Sequence, residues 1–168
     1  MNDIVSPQTR SRMMSGIRGK NTSPELLVRR LLHRMGFRFR LHVKDLPGRP
    51  DIVLPKHRAA IFVNGCFWHR HPGCRYATTP TSNKEFWEAK FAANTSRDAA
   101  NYEALGRSGW RVAIVWECAT RTSEERNIEE ELSNWITCGD TTLEVPKVVD
   151  GQLPAFSNLP SATTDEPS

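Results

Sequence analysis

Apolar positions along the chain fall into short runs, and the period of those runs marks the elements. Over residues 6–20, Met13, Met14 and Ile17 stand among Arg10, Arg12, Arg18 and Lys20. That is too few apolar side chains to bury a face, which predicts an arm or loose helix lying over a body. Thr22 and Glu25 then stand at capping-box spacing with Pro24 in the first turn, and Leu27, Val28, Leu31, Leu32 and Met35 recur at helical spacing up to Gly36. Phe37, Phe39 and Leu41 alternate with Arg38, Arg40 and His42, the period of a strand with one buried face. After a turn at residues 46–50, residues 51–54 and 59–63 are short apolar runs joined by Pro55, Lys56, His57 and Arg58, which predicts a β-hairpin. Ser82 and Glu85 offer a second capping box, opening a long helix towards Leu105 and Gly106. Residues 110–116 are near-continuously apolar, as an interior strand would be. Residues 123–136 read as a last helix with Ile128, Leu132, Trp135 and Ile136 inward. Beyond Gly139 the composition shifts to Pro, Ser, Thr and Asp without periodicity, the signature of a disordered tail.

This order predicts an α/β domain with a mixed sheet flanked by helices, because the hairpin is antiparallel. The expected division is an arm over residues 1–20, one domain over 21–138 and a tail over 139–168. No apolar run approaches the ~18 residues of a membrane span, and the start, Met-Asn-Asp, has no secretory pattern. Four cysteines in such a cytoplasmic-type chain point to free thiols or a metal rather than disulfides. The formal net charge of +4 hides a gradient. Residues 1–60 carry 13 Lys/Arg against 4 Asp/Glu, and residues 121–168 carry 3 against 10. A basic front half invites a polyanion such as nucleic acid.

Three groups of residues could carry chemistry. Cys66, His69, His71 and Cys74 lie within nine residues around a Pro72-Gly73 turn, the spacing of a zinc loop, and Cys118 is the natural distant thiolate. Zinc takes four ligands from these five; in extended chain His69 and His71 face opposite ways, leaving one histidine free for acid–base work. Cys138 reads as a bystander. A hairpin centred near His57 would set Asp51 opposite Val63, next to Asn64, an oxygen-rich place suited to Mg²⁺. Phe67 and Trp68, inside the Cys/His loop, and the adjacent Phe86 and Trp87 are aromatic candidates for wedging between stacked bases.

In combination these residues closely resemble the very-short-patch-repair (Vsr) DNA mismatch endonucleases. The resemblance runs over about residues 8–138. It rests on Thr9-Arg10-Ser11-Arg12-Met13-Met14, on Pro47-Gly48-Arg49-Pro50-Asp51 and on Ile61-Phe62-Val63-Asn64-Gly65-Cys66-Phe67-Trp68-His69. Glu85-Phe86-Trp87, Asn94, Arg97-Asp98, Gly109-Trp110-Arg111-Val112 and Val115-Trp116-Glu117-Cys118 complete it.

The resemblance implies a restriction-endonuclease-like core with a structural zinc site. It implies Mg²⁺-dependent nicking of one strand, 5′ of the T in T:G mismatches left by deamination of 5-methylcytosine. Asp51 would bind Mg²⁺ with the Val63 main-chain carbonyl, His69 would be the general base, and Glu25 and Asp98 would orient it and the metal's waters. Cys66, His71, Cys74 and Cys118 would hold Zn²⁺. Phe67, Trp68 and Trp87 would form a major-groove wedge and Met14 a minor-groove insertion, with Arg10, Arg12, Arg18, Lys20, Lys90 and Asn94 also on DNA. Double-stranded DNA would be met by a monomer in a bacterial-type cytoplasm, alongside a cytosine-5 methyltransferase and a repair polymerase. Two departures stand out. Val63 and Asn64 replace Thr and His, so a catalytic role for Asn64 would be limited to hydrogen bonding, and the zinc loop has one extra residue between His71 and Cys74. Two rival readings are a restriction-type endonuclease of the same core and a non-enzymatic zinc DNA-binding module.

Overall fold

The computed structural model describes Gln8, residues 19–121 and residues 125–147. The arm residues Arg10, Arg12, Met14 and Arg18 lie outside these. The predicted helix α1 (Ser23–Arg34) begins where its sequence says: Thr22 Oγ1 accepts from the Glu25 amide at 3.4 Å, and a Glu25 carboxylate oxygen accepts from the Asn21 amide at 2.9 Å. Its buried stripe, Leu27, Val28, Leu31 and Leu32, packs on the sheet.

The sheet has five strands in sequential order: β1 (Arg40–Leu41), β2 (Ile52–Leu54), β3 (Ala59–Asn64), β4 (Arg111–Trp116) and β5 (Thr142–Val145). The first two pairings are antiparallel and the last two parallel, so the sheet is mixed as the hairpin required. Between β3 and β4 come one helical turn, α2 (Cys66–His69), and the long α3 (Lys84–Arg107); α4 (Glu125–Cys138) joins β4 to β5. Alternation along the strands sorts the core into two layers. Ile61, Ala113 and Val115 face α1 and α4, with Ile128, Leu132, Trp135 and Ile136 inward as expected. Ala60, Phe62, Val112, Ile114 and Trp116 face Tyr102 and Leu105 of α3.

Four local expectations are corrected. The first strand is only two residues long: Phe37 and Phe39 pack on the core from irregular backbone, and Leu41 is 42% exposed. The hairpin register differs by one residue. Ile52 pairs Ile61, because the link is a short 3₁₀ turn (Pro55–His57) closed by left-handed Arg58 (φ 47°), which puts the centre between residues 56 and 57. The long helix is capped at Asn83, not at Ser82, and no side chain makes the cap bond. Part of the expected disordered tail is β5. Leu143 and Val145 bury on the α4 layer, while Glu144, on the other face, accepts from Trp116 Nε1 at 2.7 Å.

Candidate active site and metal centre

The candidate site opens at the C-terminal end of β3. Its last residues, Val63 and Asn64, line a cleft of ≈ 710 Å³ together with Glu25, His42, Asp51, Trp68, His69 and Asp98. The turn before β2 closes one side. Gly48 has φ +71°, and a Cβ there would stand 2.9 Å from the Asn101 side chain of α3, so glycine is what lets this turn meet the helix. Lys20, Lys44, Arg49 and Arg97 supply positive charge around the opening.

Asp51 meets Val63 despite the shifted register, because its side chain reaches across: Oδ2 accepts from the Val63 amide at 2.8 Å. Burial raises its pKa to about 6 against the opposing pull of that amide, and the neighbouring Glu25 carboxylate adds to the rise. Glu25, His42 and Asp51 each offer a ligand atom, all within 4.8 Å of one another. A half-buried carboxylate that resists ionisation, with a second carboxylate behind it, is a place where a dication fits.

Glu25 and Asp98, expected to orient His69 and the metal's waters, have different partners. Asp98 does hold His69, its Oδ2 lying 2.5 Å from Nδ1. Glu25 caps α1 and accepts from Arg29 at 2.8 Å, and its carboxylate stays beside Asp51 on the candidate cation site. Asn64 is buried and gives one amide N–H to the Tyr102 hydroxyl at 2.9 Å, and burial pushes that hydroxyl's pKa up.

The second centre lies beside the first. Cys66, His71, Cys74 and Cys118 present ligand atoms that all fall within 4.8 Å of one another. His71 Nδ1 is 3.3 Å from Cys118 Sγ and 3.9 Å from Cys66 Sγ. Zn–S bonds of about 2.3 Å imply tetrahedron edges of about 3.8 Å, so the set fits zinc. All four cysteines of the chain are free, and exposed Cys138 is not in the cluster. Burial pushes the Cys66 and Cys118 thiols up and brings His71 down to about 4, so a bound metal would have to displace thiol protons but would find the imidazole already neutral. His71 stacks on Trp116 at 4.4 Å, and Trp116 is in turn held by Glu144, whose own pKa burial raises. His69 and His71 part company as expected, but by a different device. His69 ends the α2 turn and Arg70 is left-handed (φ 56°), so the chain swings between them.

The aromatic residues form one cluster. Phe67 lies 5.0 Å from Trp68, 5.7 Å from Trp87 and 5.1 Å from Phe91, centroid to centroid. Trp87 is buried, whereas Phe67 and Trp68 are half-buried and Phe86 is 54% exposed. Trp87 therefore forms the floor and not the tip of the cluster, and Phe86, a candidate from the sequence that the resemblance leaves out of the wedge, is its most open ring. Asn94 is likewise turned inward, donating to the Trp68 carbonyl at 3.1 Å and accepting from Arg97 at 3.0 Å. It orients a cleft arginine and is not itself a free contact, while Lys90 is exposed. His42, Arg29, Lys44, Arg49 and Arg97 went unnoticed as site residues. The signals were present: Arg29 stands four residues after Glu25, and the strand alternation ends with His42 just across the turn from Asp51.

The family profile for DNA mismatch endonuclease Vsr matches residues 2–75. The chain is 53% identical over 118 residues to the type II nicking enzyme V.XorIIP of Xanthomonas oryzae pv. oryzae, covering 70% of this chain and 86% of that one. It is 41% identical over 143 residues to DNA mismatch endonuclease Vsr of Escherichia coli, covering 83% and 90%. It is 43% identical over 118 residues to the type II nicking enzyme V.NmeAIP of Neisseria meningitidis, covering 70% and 84%. Among solved structures, the catalytic domain of the homing endonuclease I-Bth0305I superposes with a TM-score of 0.42 and 19% identity, over 70% of this chain and 97% of that one, a likeness too distant to bear on the chemistry.

Proposed function

The chain belongs to the Vsr DNA mismatch endonuclease family, and from that premise we propose that this DNA endonuclease nicks one strand, 5′ of the T in T:G mismatches left by deaminated 5-methylcytosine. The observation that carries the proposal is one basic cleft in which a strained carboxylate, Asp51, and an oriented histidine, His69, both open.

Asp98 takes the Nδ1 proton side of His69, which leaves Nε2 as the nitrogen able to accept a proton from the attacking water. Lys20, Lys44, Arg49 and Arg97 hold the phosphodiester by charge. Asp51, with the Val63 main-chain carbonyl beside it, would hold Mg²⁺. When bound, the ion supplies neutralisation of charge developing on the scissile phosphate. Asn64 offers its remaining N–H as a hydrogen-bond donor near the leaving group. Cys66, His71, Cys74 and Cys118 would hold Zn²⁺ as a structural ion that fixes the loop carrying His69. Phe67 and Trp68, backed by Trp87, would enter the major groove opposite Met14, and a T:G wobble is easier to unstack than a matched pair. One Asp51 centre in a monomer serves one strand. The flanking sequence would follow a partner cytosine-5 methyltransferase, and a repair polymerase would fill the gap.

The test is cleavage of labelled duplexes with and without a central T:G pair, across varied flanks and with Mg²⁺ added. We expect a single-strand cut confined to T:G duplexes, lost in Asp51→Ala while DNA binding survives. Equal cutting of matched DNA would mark a restriction-type enzyme instead, and no cutting at all a binding module.

A further inference from the structure

His42 sits where β1 ends, in a conformation few side chains adopt (φ 48°), and its amide donates to the Asp51 carbonyl at 3.2 Å. The fold thus holds a strained backbone and a large ring against the residue proposed to bind the cation. The ring has two distinct surroundings. Nε2 lies 3.1 Å from an Arg29 Nη atom, and Nδ1 faces Asp51 Oδ1 at 3.9 Å. A guanidinium has donors only. Nε2 must therefore accept from Arg29, and the ring proton sits on Nδ1, on the Asp51 side.

This fixes what His42 can do. A nitrogen that carries a proton is not a ligand, and the other nitrogen is occupied by Arg29. We propose that His42 is a positioning residue for Asp51, its Nδ1–H steering the carboxylate oxygen opposite the one held by Val63. The two donors then clamp the carboxylate from both sides: the Val63 amide at 2.8 Å on Oδ2, and His42 on Oδ1 once the carboxylate turns towards the ring. Arg29 is the base of the clamp. It ties the ring to Glu25 at 2.8 Å and to Asn21 at 2.7 Å, so the start of α1 and the Asp51 carboxylate become one unit. Neighbours that orient a metal-binding carboxylate commonly govern metal affinity without touching the ion.

The inference rests on Asp51 being the cation's carboxylate, and one experiment separates the two. Mn²⁺ binding to the full, zinc-loaded chain is measured by calorimetry, with melting temperatures for each variant and electron spin-echo spectra of the bound Mn²⁺. His42→Ala should weaken Mn²⁺ by roughly 10–100-fold, and His42→Asn, whose amide can donate from nearly the same place as Nδ1–H, should recover most of that loss. The spectra of the unchanged chain should lack coupling to an imidazole nitrogen. Coupling that disappears in His42→Asn would make His42 a ligand and overturn the proposal. So would His42→Ala binding Mn²⁺ within twofold of the unchanged chain while Asp51→Ala loses it, an outcome that leaves the metal assignment standing. Mn²⁺ affinity unchanged in Asp51→Ala would overturn both.

Discussion

Burial sets the charge of Asp51 against the fold. Its pKa rises from the model-compound 3.8 to about 6 in the folded chain, chiefly through burial. A carboxyl that binds its proton more tightly when folded lends stability below about pH 4 and loses it as pH climbs through about 6. In buffer without added magnesium, Asp51→Asn should therefore stabilise the protein at pH 8 by about 1–3 kcal/mol and leave it nearly unchanged at pH 4. Thermal unfolding at the two pH values checks this, and a destabilised Asp51→Asn at pH 8 would mean that the charged form is the favoured one. Asn keeps an oxygen for the Val63 amide, so the comparison isolates charge. Added Mg²⁺ should raise the melting temperature of the unchanged chain and not that of the variant.

At the scale of elements, the loop from α2 to Cys74 packs through Phe67 and His71, and a bound metal would tie it further to Cys118. Cys74→Ser or His71→Ala should lose stoichiometric zinc and lower the melting temperature, since ligation energy in such a loop is folding energy. Cys138→Ser should retain both; metal analysis beside thermal unfolding reads the two together. Much of this level was legible in the sequence. Helices with a clear apolar stripe, such as Leu27, Val28, Leu31 and Leu32, announced themselves, and the dense run from Cys66 to Cys74 marked a candidate metal loop that the fold brings to Cys118. Three features were not legible. β5 is four residues long and alternates half-buried Thr142 and Glu144 with Leu143 and Val145, so it lacks the apolar run that marks a strand. The hairpin register depended on a left-handed Arg58, which is uncommon for a side-chain-bearing residue. The surroundings of Glu25 were obscured because one carboxylate serves both as a helix cap and as a neighbour of the site, and only the fold shows that Arg29 links it to His42.

For the whole molecule, charge and shape divide the work of binding DNA. The basic excess of residues 1–60 becomes, in part, the rim formed by Lys20, Lys44 and Arg49, joined by Arg97 from α3. Lys44→Ala should weaken matched and T:G duplexes alike and reduce the slope of log affinity against log salt by roughly one unit. Trp68→Ala should leave that slope alone and lower the preference for T:G, since stacking is worth about 1–3 kcal/mol per base. Trp68 also packs on Phe67 and near Trp87, so thermal unfolding must accompany the binding curves. A stable Trp68→Ala protein with full T:G preference would discard the wedge.

A single left-handed residue, Arg70, is all that separates His69 from His71. The proposed base and the proposed metal-binding imidazole thus share one short segment, with Trp116 and Glu144 bracing its far end. Zinc bound in such a place would act as a gauge block, setting where His69 stands relative to Asp51. Stripping it with a mild chelator should extinguish nicking in proportion to the zinc removed, before the far-ultraviolet signature of the helices fades, and returning zinc should restore both. Activity that outlasts the zinc would show that α2 holds His69 without it.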